Sequence, residues 1–135
     1  MAEGNTMKKT ILIVDDDPDI RFTVKDALEG NYCEEFNVLE ADGGRQCLQM
    51  LEVTPPDLIL LDIMMPEMSG WEVYDELHKN PRWKKIPVVF LTARTDDLAR
   101  NAGKILGKDY IEKPFEVHDL KQRIDIALKK RMRLF

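Results

Sequence analysis

The chain has 135 residues, 33% of them charged and 44% hydrophobic, with a formal net charge of −5, the size and balance of one ordinary globular domain. That charge argues against holding nucleic acid through its phosphates. The two cysteines, Cys33 and Cys47, are too few for a disulfide framework or a zinc site.

Residues 1–7 read as a disordered leader, and 8–135 as a single domain without an output domain. The first apolar run is too short for a secretory signal core or a membrane span, so a cytoplasmic setting is expected. Strand one is predicted over Thr10–Val14, and the helix after it carries Ile20, Val24, Ala27 and Leu28 on one stripe until Gly30-Asn31 closes it. Strand two is predicted over Asn37–Glu40. Helix two, over Gly43–Glu52, turns Cys47, Leu48 and Leu51 inward and stops before Pro55-Pro56. Strand three is the run Leu58–Leu61. Helix three covers Trp71–Lys79 with Val73 and Leu77 inward, and Trp71 and Trp83 are read as partial packing residues, Trp83 in a loop. Strand four is Val88–Leu91. Helix four, over Asp96–Leu106, has only a thin apolar stripe interrupted by Gly103. Strand five is Asp109–Ile111, and helix five starts near Val117 and runs to the basic end of the chain.

Continuous apolar runs of four residues suit strands buried on both faces. Alternation with helices then implies an α/β fold, a doubly wound parallel sheet. In such sheets ligands bind beyond the carboxyl ends of the strands. Those ends carry the chemistry: Asp15, Asp16 and Asp17 after strand one, Asp62 after strand three, Thr92 after strand four, Lys113 after strand five. Carboxylates brought together from strands one and three repel, which raises a pKa and favours a divalent cation. Hard oxygen donors in small number suit Mg2+. Asp17 precedes Pro18 and reads as a helix N-cap, which leaves Asp15 and Asp16 for the metal. Asp62 can act as a nucleophile toward phosphorus. Lys113 and Thr92 can contact phosphoryl oxygens; taken singly, they are better read as a solvated lysine and a strand-end hydroxyl bonded to backbone, and it is the four strand ends together that favour the chemistry.

Four segments together, Ile11–Asp19 (ILIVDDDPD), Pro56–Gly70 (PDLILLDIMMPEMSG), Ile86–Ala93 (IPVVFLTA) and Asp109–Phe115 (DYIEKPF), resemble the receiver domain of two-component response regulators. The resemblance covers about residues 8–130. It implies a flavodoxin-like (βα)5 fold with strand order 2-1-3-4-5. It implies Asp62 as phosphoacceptor, Asp15 and Asp16 as the acidic pair with Asp16 the direct Mg2+ ligand, and a metal contact from the backbone carbonyl of Met64. It further implies Thr92 as the switch hydroxyl, Lys113 as the phosphate-pairing lysine before a cis Lys113-Pro114 bond, Ala93 as the small residue beside the phosphoryl group and Tyr110 as the aromatic switch. The activity implied is acceptance of a phosphoryl group from a histidine kinase or a histidine phosphotransfer protein, followed by slow self-hydrolysis, without turnover of other substrates. The output implied is a surface around helix four, strand five and helix five that meets a downstream protein or a second copy, with no nucleic acid and no membrane as partner. Between Thr92 and Tyr110 the chain departs from the common pattern, so a short or shifted helix four is expected, and Arg94 stands near the site as either a shield or a surface residue.

Three other readings compete. A haloacid-dehalogenase-like phosphohydrolase also uses an aspartate after an apolar strand, but Pro18 and the lack of a later Gly-Asp motif count against it. A flavodoxin would need a hydroxyl- and glycine-rich phosphate loop where this chain has acids. An unphosphorylated receiver-fold scaffold would not need the full residue set.

Overall fold

The computed structural model describes residues 8–93 and 108–133. Along them run β1 (Lys9–Val14), α1 (Pro18–Asn31), β2 (Phe36–Ala41), α2 (Gly44–Val53), β3 (Leu58–Asp62), α3 (Gly70–Lys79), β4 (Val88–Thr92), β5 (Asp109–Glu112) and α4 (Val117–Arg133). The predicted leader, the predicted fourth helix over 96–106 and Arg94 lie outside the described residues. The helix expected fifth is therefore α4.

All four strand pairings are parallel, and the order is β2-β1-β3-β4-β5, as expected. Successive side chains on a strand point to opposite faces. Leu12, Val14, Ile59, Leu61 and Phe90 thus meet Cys47 and Leu51 of α2 and Val73 and Leu77 of α3. Ile11, Ile13, Leu58, Leu60, Val89 and Leu91 meet Val24 and Leu28 of α1 and Leu120, Ile124 and Ala127 of α4. Two covered faces explain why the strands are apolar without alternation. Among the described residues no helix is long and apolar enough to cross a membrane.

The strands differ from expectation at their carboxyl ends. Asp62 and Thr92 are the last residues of β3 and β4, not the first residues after them. The ladder carries on past the apolar run because Ile63 N–H donates to Leu91 O at 3.1 Å and Lys113 N–H donates to Thr92 O at 2.8 Å. Each reactive side chain therefore starts from sheet backbone, which is rigid. Trp83 also differs. Its turn is closed by Trp83 N–H on Asn80 O at 2.9 Å, and the ring is buried in the α2/α3 core. Trp71 is half-buried, with its ring centroid 4.6 Å from that of Phe90.

Candidate functional site

The strand order reverses between β1 and β3, and in open α/β sheets ligands bind beyond the carboxyl ends at such a point. Asp15 leaves β1 with its N–H on Ala41 O at 3.2 Å. Its side chain turns back, and Oδ1 accepts from Asp17 N–H at 2.9 Å. Asp17 caps α1 as expected, accepting from Asp19 N–H at 2.8 Å with Pro18 in the first turn. The bond frees Asp17 from the cluster and fixes the loop that carries Asp16.

Asp15 and Asp62 are buried and Asp16 is exposed; one carboxylate oxygen from each lies within 4.8 Å of the others. Lys113 reaches in from beyond β5. Its Nζ donates to Asp62 Oδ1 at 3.2 Å and lies 2.8 Å from Asp15 Oδ2. The second contact neutralises charge without an aligned hydrogen bond, since Asp15 Oδ2 is buried with no hydrogen-bond partner. A buried carboxylate oxygen without such a partner is costly. A hard divalent cation with open coordination positions suits this donor set, so the residues present fit Mg2+.

Burial pushes the Asp62 carboxyl up to about 7, and the neighbouring charge of Asp15 adds to it; Lys113 opposes both and does not win. Burial works to lower the Lys113 ammonium, but the close carboxylates of Asp15 and Asp62 outweigh it and raise the group. The cluster thus carries more negative charge than one lysine neutralises.

Thr92 is fully buried, and its hydroxyl donates to Ala93 O at 3.3 Å. That is the plainer of its two sequence readings, and it leaves the hydroxyl at the β4 end, one residue beyond the pair Asp62–Leu91. Ala93 is exposed, Met64 is 49% exposed, and Tyr110 is half-buried against the α2/α3 core. The Lys113-Pro114 peptide is cis.

Two residues of this frame had no role in the sequence reading. Gly70 N–H donates to Ile63 O at 2.8 Å. A Cβ at Gly70 would lie 2.3 Å from Asp62 O and 2.9 Å from the Ile63 Cα, so only glycine lets α3 start against the Asp62 backbone. Arg21 Nη1 donates to Asp15 O at 2.7 Å while its Nε donates to Glu40 Oε1 at 3.2 Å. Neither need is visible locally, because both partners are backbone carbonyls brought close by the fold.

A parallel doubly wound sheet thus carries three carboxylates, a lysine and a hydroxyl at its switch point, the place where α/β folds of this class bind their ligands. Residues 11–125 match the family model described as Response regulator receiver domain, and the chain belongs to that family. It is 39% identical to histidine kinase P4 of Formosa agariphila over 94% of this chain and 9% of that protein. It is also 39% identical to a probable cyclic di-GMP phosphodiesterase of Vibrio cholerae over 96% of this chain and 29% of that protein. The chain thus spans less than a third of these curated relatives. Among solved structures, a putative response regulator from Chloroflexus aurantiacus superposes with a TM-score of 0.80 at 32% identity, covering 90% of this chain and 98% of that one.

Proposed function

We propose that Asp62 accepts a phosphoryl group from the phosphohistidine of a sensor histidine kinase or histidine phosphotransfer protein. The observation that carries this reading is Lys113 Nζ set between Asp62 and Asp15 at 3.2 and 2.8 Å. An Asp62 carboxylate oxygen forms the new bond to phosphorus. The phosphorus–nitrogen bond breaks, and its electron pair stays on the imidazole, which later takes a proton from solvent. Asp16, Asp15, Asp62 and the Met64 backbone carbonyl would hold Mg2+, which would supply positive charge to the phosphoryl oxygens. Lys113 keeps its place beside Asp62 and takes one phosphoryl oxygen. The Thr92 hydroxyl leaves the Ala93 carbonyl for another, and the small Ala93 side chain leaves room above the group. Tyr110 then repacks, and the surface around β5, α4 and the segment predicted as the fourth helix changes its fit for a downstream protein or a second copy. Water ends the state by hydrolysis, so chemistry is confined to the chain's own aspartyl phosphate. A cytoplasmic setting suits such a partner.

The test is incubation with acetyl phosphate and Mg2+ followed by intact-mass measurement. One added phosphoryl group is expected, absent without Mg2+ and absent in Asp62→Asn. An adduct that persists in Asp62→Asn would place the nucleophile elsewhere. Lys113→Ala is expected to retain Mg2+ binding and to lose most of the response to phosphorylation, read as the change in Trp71 fluorescence; an unchanged response would return Lys113 to the role of a surface lysine.

A further inference from the structure

Asp16 is the exposed member of the acidic cluster. Among the described residues its carboxylate has no hydrogen bond or ion pair, so its position is inherited from the backbone that carries it. That backbone is held on both sides. After Asp16, the Asp17 N–H is tied to Asp15 Oδ1 at 2.9 Å. Before it, the Asp15 carbonyl belongs to the same peptide group as the Asp16 N–H. This carbonyl lies one residue beyond the β1 ladder, which ends at Val14. Its partner is Arg21 Nη1 at 2.7 Å, a short charge-assisted bond.

Arg21 is not an ordinary surface arginine. Its side chain is 17% exposed, against 63% for Arg82 in the Arg82–Glu52 pair. Nε of the same guanidinium is turned by Glu40 at 3.2 Å from the neighbouring strand β2. One planar fork therefore links α1, β2 and the Asp15–Asp16 peptide. A lysine could reach one of these partners as a point charge and could not hold the plane.

We infer that Arg21, oriented by Glu40, is a positioning residue that fixes the Asp15–Asp16 peptide and thereby aims the Asp16 carboxylate at a divalent cation. The inference rests on the Mg2+ reading of the cluster. It has a sign that separates it from simple electrostatics. Removing a cation beside three acids tightens Mg2+ by charge alone, whereas removing a support that aims a ligand weakens it.

The test is calorimetric titration of Mg2+ into the wild-type chain, Arg21→Ala and Arg21→Lys, below the midpoint of each variant's thermal transition so that all are folded. Arg21→Ala is expected to weaken binding about tenfold, with Arg21→Lys between the two. A folded Arg21→Ala that binds as tightly as the wild type, or more tightly, overturns the inference. A metal-free arm reads the same support by backbone amide relaxation. The Asp16 order parameter is expected to fall in Arg21→Ala from the rigid level of about 0.85 toward about 0.6. If the wild type bound no Mg2+, the functional reading would fail by itself, and an unchanged order parameter at Asp16 would then overturn the clamp as well.

Discussion

Asp62 is a carboxyl that the native state holds at a cost, and the sign of that cost is measurable. Its folded value is about 7 against 3.8 for an unperturbed group. The folded protein therefore binds this proton more tightly than the unfolded chain does. Stability is full below about pH 4 and is lost as the pH rises through 7. Lys113 adds no slope in that window. Its value is raised above 10.5, so its contribution is lost only at higher pH. In metal-free buffer, Asp62→Asn should thus melt above the wild type, and the gap should widen by several degrees between pH 5 and pH 8. A gap that stays constant over that range would mean the carboxyl titrates normally. At this scale the sequence was legible where chemistry is local. Asp17 followed by Pro18 announces a cap, and the cap is there. It was not legible where the partner is a distant carbonyl. Arg21 and Gly70 bond to the backbone of Asp15 and Ile63, and nothing in their own neighbourhoods records that. Thr92 falls between: its place at a strand end could be read, but the choice of Ala93 O as partner could not.

The β3–α3 connection shows how elements, not single residues, set the site. α3 starts with a capping box: Ser69 Oγ accepts from Glu72 N–H and the Glu72 side chain accepts from Ser69 N–H. The next residue, Gly70, presses against Asp62 O. Substitutions at these neighbours should both cost stability but differ in their effect on the site. Ser69→Ala removes a cap on an exposed helix end, which costs about 1 kcal/mol, and denaturant melts should show that loss with phosphorylation of Asp62 unchanged. Gly70→Ala forces backbone apart in a packed core, which typically costs about 1–3 kcal/mol and occasionally more. The yielding atoms include the Asp62 carbonyl, so phosphorylation from acetyl phosphate should slow as well as stability fall. If both variants lost only stability, the close approach of α3 to Asp62 would have no functional consequence. Strand existence and order were readable because both sheet faces are covered and the apolar runs are continuous. Strand ends were not, because the last rung at Asp62 and Thr92 is made by polar residues whose hydrogen bonds depend on neighbouring strands. Trp83 escaped for a related reason: a turn of polar residues carries it back into the α2/α3 core.

The whole molecule concentrates its electrostatic liability at one end of an otherwise apolar sheet. Of the residues the fold buries fully or nearly so, the polar ones described are Asp15, Asp62 and Thr92, and all three belong to the site. The two cores on either face of the sheet are independent of metal, so the fold should form without it. The repulsion at the strand ends should still subtract from global stability, because β1, β3 and β4, which end there, form the sheet's centre. A cation bound only by the folded state adds RT ln(1 + [Mg2+]/Kd), about 1.4 kcal/mol at ten times Kd. That is several degrees in the thermal midpoint of a chain this size. The wild type should show this rise on adding Mg2+ and lose it on adding EDTA. Asp16→Asn should show much less of it, since it removes the exposed ligand while leaving both buried acids in place. Asp17→Asn keeps a competent cap and lies outside the three-carboxylate cluster, so it should respond like the wild type. Equal responses from Asp16→Asn and Asp17→Asn would show that Mg2+ acts on the molecule's overall charge and not at the strand ends.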